Sequence, residues 1–132
     1  MIKFSPDKVK LLHQLMAQAT GGSIGVRDEG LLESALENAF ATYDGTELYP
    51  SKEEKGAALA FSLVSNHAFV DGNKCIGVYV MLSFLSLNGV DIEASEEDVV
   101  RLGLGIADGS MKQQDILAWI IQHKNNSVTN SL

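Results

Sequence analysis

Residues 56–90 read GAALAFSLVSNHAFVDGNKCIGVYVMLSFLSLNGV, and this stretch decides the fold. Neither the fifteen residues from Gly56 to Val70 nor the sixteen from Cys75 to Val90 include an Asp, Glu, Lys or Arg. Both runs fall short of the roughly 18 to 20 apolar residues that span a bilayer, and Asn66, His67, Ser83 and Asn88 interrupt them. They therefore read as two helices, apolar on every side and enclosed by other helices. Between them lies a polar cluster, His67 to Cys75. A loop joining two buried helices can hold a general base, a carboxylate for a metal, free backbone amides and a cation in one small volume, which suits phosphate chemistry. Four such side chains in nine residues also suit an ordinary inter-helix loop. Their order favours the site: Gly72-Asn73 places a small residue and a good N-cap type at a helix start. Lys74 then sits on the first turn, where it opposes the helix dipole unless an anion joins it.

Working outward, the remaining segments read as helices too. Ser5 caps a first helix with Pro6 at its first position, ending before Gly21-Gly22, with Val9, Leu12, Leu15, Met16 and Ala19 as its apolar face. His13 reads as an exposed or half-exposed surface histidine on it. Asp28 caps a second helix to about Ala39, striped by Leu31, Leu32, Ala35, Leu36 and Ala39. Arg27, beside Asp28 and Glu29, reads as a surface arginine, with reach into the phosphate pocket as the alternative. Phe40 to Pro50 reads as an irregular loop, given the turn signals Tyr43-Asp44-Gly45 and Tyr49-Pro50. Ser51 with Glu54 is a capping box for the third helix, which carries His67 near its C-terminal end. The fourth runs from Asn73 to about Asn88, and Gly89 stops it. Ser95 with Asp98 opens a fifth helix reaching Asp108-Gly109, and Ser110 with Gln113 opens a sixth, carrying Ile116, Leu117, Trp119, Ile120 and Ile121. Trp119 reads as a core anchor, and His123 complements the dipole at the helix end. The expected fold is all-α, a compact single-domain bundle of about six helices around the two central ones, over residues 1–124. Residues 125–132 read as a polar, frayed tail.

Composition narrows the class. With 132 residues, 45% of them hydrophobic and 20% charged, the chain is long enough for a core without staples. A net charge of −7 disfavours sequence-independent nucleic-acid binding, which needs clustered Lys and Arg. One cysteine excludes an intrachain disulfide. The opening seven residues lack a signal-peptide apolar core, since Pro6 and Asp7 interrupt it, so the expected location is cytoplasmic, with no membrane partner. His67 and Asp71 are also spaced to be metal ligands, but a zinc site would need more of them.

The segment His67-Ala68-Phe69-Val70-Asp71-Gly72-Asn73-Lys74 resembles the core motif of the Fic/Doc family, H-x-F-x-[DE]-[GA]-N-[GK]-R. Lysine in the eighth place resembles the death-on-curing (Doc) toxin branch. The blocks from Gly21 to Leu36 and from Leu85 to Gly89 are similar to that branch as well. The resemblance implies a toxin of a toxin-antitoxin system that moves the γ-phosphate of ATP, with Mg²⁺, to a hydroxyl of a protein, elongation factor Tu. It also implies a Phd-like antitoxin partner. In these terms His67 is the general base and Asp71 the Mg²⁺ ligand. Gly72, Asn73 and Lys74 bind phosphate, and Cys75 stands at the position of the family's phosphate-holding arginine. A thiol offers neither the fork of donors nor the fixed charge of a guanidinium, so transfer is expected to be impaired. Two alternatives accompany this reading. One is a toxin fold that still binds its antitoxin but transfers nothing, which Cys75 favours. The other is a Fic-type AMP transferase, against which Lys74 speaks, as does Val78 where those enzymes carry a second arginine.

Overall fold

The computed structural model describes residues 1–125 and contains six helices: α1 (Pro6–Thr20), α2 (Glu29–Asn38), α3 (Lys52–Asn66), α4 (Asn73–Leu87), α5 (Glu96–Ala107) and α6 (Gln113–His123). The architecture is the expected helical bundle, with α3 and α4 packed against each other most extensively. α2 and α6 flank α3, while α1 and α5 lie against α4. Two glycines set the α3–α4 approach. A methyl group at Gly77 would sit 2.6 Å from Val64 Cγ2, and one at Gly56 would sit 3.0 Å from Leu85 Cδ2. Around this contact Leu59, Leu63, Ile76, Met81, Phe84 and Leu85 are fully enclosed. Burying each such side chain contributes about 1.5–3 kcal/mol.

The helix starts follow the sequence signals closely. Ser5, Asp28, Ser51 and Ser95 each accept a hydrogen bond from the backbone N–H three residues on. The capping box is complete, because Glu54 Oε1 also accepts from the Ser51 N–H at 3.2 Å. The sixth helix departs from its signal. Ser110 folds back, its N–H donating to Asp108 Oδ1 at 2.8 Å, and the cap falls on Lys112, whose N–H donates to Asp115 Oδ2 at 2.8 Å.

Three further expectations are corrected. Residues 40–50 contain a small antiparallel hairpin, Thr42–Tyr43 (β1) with Thr46–Glu47 (β2), paired Thr42 to Glu47 and Tyr43 to Thr46. Its two turn residues, Asp44 and Gly45, both have positive φ (52° and 80°), the geometry that makes Asp-Gly a hairpin signal. The hairpin is tied to the core by Lys55 of α3. Lys55 is buried, pairs with Glu47 at 3.1 Å and donates to the Tyr49 carbonyl. Burial of that ammonium is tolerable only because both partners meet it. On α1 the inner face is Val9, His13 and Ala17, with Leu12 and Met16 partly buried, whereas Leu15 and Ala19 are exposed. Trp119 packs against the core as expected, half-buried and stacked on His123 with ring centroids 4.1 Å apart, whereas Ile121, expected on the same apolar face, is exposed. His123 does serve the helix end, with Nδ1 2.8 Å from the Trp119 carbonyl oxygen. The Asn125 N–H donates to the Asp91 carbonyl at 2.7 Å, and the rest of the expected tail lies outside the described residues.

Candidate functional site

His67 stands one residue beyond α3, as its C-cap, with φ 50° and ψ 49°. That left-handed conformation costs a non-glycine residue roughly 1–2 kcal/mol. It ends the helix sharply and leaves the histidine exposed. The next residues dive inward: Ala68 and Phe69 are buried before Val70 and Asp71 return to the surface. The polypeptide then turns at Gly72, φ 76°, where a side chain would be strained, and enters α4.

The motif segment is held from several directions. Asn73 does not cap α4, as sequence suggests. It is the first helical residue, and its amide reaches back across the loop. Oδ1 accepts from the Phe69 N–H and Nδ2 donates to the Phe69 carbonyl, both at 3.0 Å. Both ends of that side chain are thereby engaged in shaping the loop. The α1–α2 connection pairs with the segment like a short strand. The Arg27 and Asp28 N–H groups both donate to the Ala68 carbonyl, at 2.7 and 3.0 Å, and the Val70 N–H donates to the Gly25 carbonyl at 3.1 Å. Below, His13 is only 4% exposed and stacks on the Phe69 ring at 3.9 Å. Its Nε2 lies 2.6 Å from the Asp71 carbonyl oxygen, so this nitrogen carries the proton and donates. The surface reading of His13 is overturned, and its position four residues after Val9, on the stripe that ends in Ala17, was the available signal.

Arg27 is exposed, as the surface reading expects, but it carries a role that neither reading offered. Its Nε donates to the His67 carbonyl at 2.7 Å and its Nη2 to the Asn66 carbonyl at 3.2 Å. It satisfies the open carbonyls at the end of α3, as a basic side chain at a helix C-terminus should. No local pattern announces this role, because the partners lie 39 and 40 residues away.

The α4 end of the site is electrostatically distinctive. The first bond of the helix ladder runs from the Ile76 N–H to the Gly72 carbonyl, 3.0 Å, so the amides of Asn73, Lys74 and Cys75 stand outside it. No side chain caps them, and the first turn has no acid. The stem of Lys74 packs on α5, where a methyl at Gly103 would meet its Cγ at 3.1 Å. Lys74 makes no ion pair among the described residues. Cys75 is exposed. A cleft of about 70 Å³ lined by His13, Met16, Ala17, Thr20, Gly22, Ser23, Asp71, Gly72 and Cys75 opens beside this helix start, and neither His67 nor Lys74 lines it. Asp71 is exposed there. Its Oδ1 accepts from the Gly72 N–H at 2.8 Å, and its Oδ2 lies 3.4 Å from the Ser23 nitrogen.

The donor set can be matched against the implied Mg²⁺ and nucleotide. Among the described residues no three His, Cys, Asp or Glu side chains group around a point, so a metal held wholly by protein side chains does not fit. Mg²⁺ bound by a single carboxylate together with nucleotide phosphates and water does fit the lone, solvent-facing Asp71 beside free amides.

Comparison with known proteins identifies the family. A sequence model of the Fic/DOC family matches residues 3–85, a span that runs from before α1 nearly to the end of α4. The chain belongs to the Fic/DOC family. It is 46% identical over 83 residues to Toxin Doc of Mycolicibacterium smegmatis (strain ATCC 700084 / mc(2)155), a match covering 63% of each protein. The matched region is thus less than two thirds of that relative's length. Among the described residues no helix is long and apolar enough to cross a membrane.

Proposed function

We propose that this chain is a toxin of a toxin-antitoxin system, a Doc-like phosphotransferase weakened at one phosphate contact. The observation that carries the reading is the one short loop that joins an exposed histidine in a held left-handed conformation to an uncapped helix start, whose Lys74 makes no ion pair among the described residues. His67 acts as general base and takes the proton of an acceptor hydroxyl on an imidazole nitrogen. The amides of Asn73, Lys74 and Cys75 and the Lys74 ammonium bind the γ-phosphate of ATP, Gly72 allowing its close approach. Asp71 would hold Mg²⁺, which when bound neutralises phosphate oxygens. Phosphoryl transfer asks mainly for positioning and charge stabilisation, so this small set is chemically sufficient. The acceptor we favour is elongation factor Tu, and the regulating partner is a Phd-like antitoxin, in line with the similarity to Toxin Doc. A cytoplasmic site of action goes with both.

Cys75 supports a second reading, an antitoxin-binding toxin fold without transfer, because the thiol cannot bind phosphate as a forked cation does. Incubation with labelled ATP, Mg²⁺ and purified elongation factor Tu separates the two. Labelling that is lost in His67→Ala supports the phosphotransferase. Labelling undiminished in His67→Ala rules out the base assignment, and none from the Cys75→Arg protein leaves the binding fold.

A further inference from the structure

The arrangement at the end of α3 assigns a task to a residue that touches neither nucleotide nor acceptor in this scheme. We propose that Arg27 is the positioning residue for His67, acting through the backbone carbonyl of His67 itself. The inference rests on the reading of His67 as the base.

A left-handed histidine is not a conformation the chain adopts unaided. The direction of its Cα–Cβ bond, and so the place of its imidazole, follows from that backbone state. If φ relaxed to the ordinary negative region, α3 would continue by a residue and the imidazole would be carried to a different place. Four hydrogen bonds, donated by two consecutive residues to three consecutive carbonyls, oppose this. The Arg27 guanidinium spans the Asn66 and His67 carbonyls at 3.2 and 2.7 Å, and the backbone N–H groups of Arg27 and Asp28 fix the next carbonyl, that of Ala68. The backbone bonds are open to any residue at these positions. The side-chain bonds are not, since they come from two different nitrogens, Nε and Nη2, of one planar guanidinium. Arg27 is exposed, and its removal leaves no cavity in the core, so its influence is local to the histidine.

The decisive measurement does not depend on activity. The Cα and Cβ chemical shifts of His67 report its left-handed backbone. In Arg27→Gln they are expected to move toward ordinary helical values or to split, while those of His123 on α6 stay in place. Unmoved His67 shifts in Arg27→Gln overturn the proposal. Arg27→Lys keeps the charge but not the fork, and should move them in the same direction by less. Should the glutamine variant not fold, unmoved shifts in the lysine variant overturn the proposal alone. Glu54→Ala breaks the capping box at the other end of the same helix, and is expected to lower the melting temperature without moving His67. If it moves His67 as far as Arg27→Gln does, Arg27 acts only through stability and the assignment falls.

Kinetics add a separate arm. Arg27→Gln is expected to lower kcat by up to about 10²-fold, the scale of an ångström of misplacement, with KM for ATP unchanged. A raised KM with unaltered kcat overturns the positioning role. If the parent protein transfers nothing, the same comparison is made in the Cys75→Arg background, where absence of transfer sinks the phosphotransferase reading instead and leaves the backbone shifts to decide what Arg27 does.

Discussion

The starts of α3 and α4 are 21 residues apart and solve the same problem in opposite ways. At α3, Ser51 and Glu54 satisfy donors reciprocally, and Glu53 and Glu54 place negative charge on the positive end of the dipole. At α4, a glycine precedes the helix, three amides stand open and the first-turn charge is positive. Helices α1, α2, α5 and α6 side with α3, each having at least one acid in its first turn. The difference teaches where the chain forgoes local stability. An uncapped start with a lysine is unfavourable to the empty protein and favourable once an anion arrives.

Adding a forked cation at the open start should have the largest effect. Cys75→Arg is expected to raise phosphoryl transfer by about 10²-fold or more, the scale of roughly 3 kcal/mol for a preorganised donor. It should cause growth arrest on expression, relieved by a co-expressed Phd-like antitoxin. An inactive and harmless arginine variant would break the proposed contrast between the two starts. The capped start offers the next effect. Ser51→Ala should lower unfolding free energy by about 0.5–2 kcal/mol in denaturant titrations, with Mg²⁺-nucleotide affinity unchanged. The third change converts one start into the other. Lys74→Glu should stabilise the empty protein by about 0.3–1 kcal/mol while removing nucleotide binding in calorimetry. A variant that gained stability and still bound nucleotide would show that the open amides are not the anion site.

The smallest effect concerns pH. Burial pushes the Glu53 carboxyl up, but a backbone hydrogen bond and Lys124, 3.1 Å away, outweigh it and hold its pKa below the ordinary 4.5. A depressed carboxyl adds stability above its unfolded pKa, and loses it as pH falls from about that ordinary value through the folded one. Acid unfolding of Glu53→Gln should therefore show a shallower loss of stability in that window than the parent protein.

What could be read from sequence were the features that act through neighbours in the chain. Serine and aspartate caps, the capping box and two uncharged runs are local patterns, and they located the bundle and its central pair. The motif was equally legible as a segment, being contiguous, and the family match includes it. His13 and Arg27 were not, for a physical reason. Each meets its partner across a separation of 39 residues or more, so the burial of the one and the engagement of the other depend on how α1 and the α1–α2 connection dock on the motif. The Thr42–Glu47 hairpin was missed because strands of two residues carry no alternation to read, although their Asp-Gly turn was plain. Ser110 misled because a serine three residues before a glutamine suits a tight turn as well as a cap.

The left-handed backbone at His67 has a consequence for how such a protein can change over generations. Glycine adopts that conformation without a steric penalty and is the commonest residue at this place after a helix. The histidine therefore occupies a position where its loss need not harm folding. In the proposed scheme chemistry and foldedness are uncoupled at residue 67, as they are at the exposed Cys75. Selection against a harmful activity can silence such a protein by a single replacement and leave a stable molecule behind, still able to engage whatever recognises its surface.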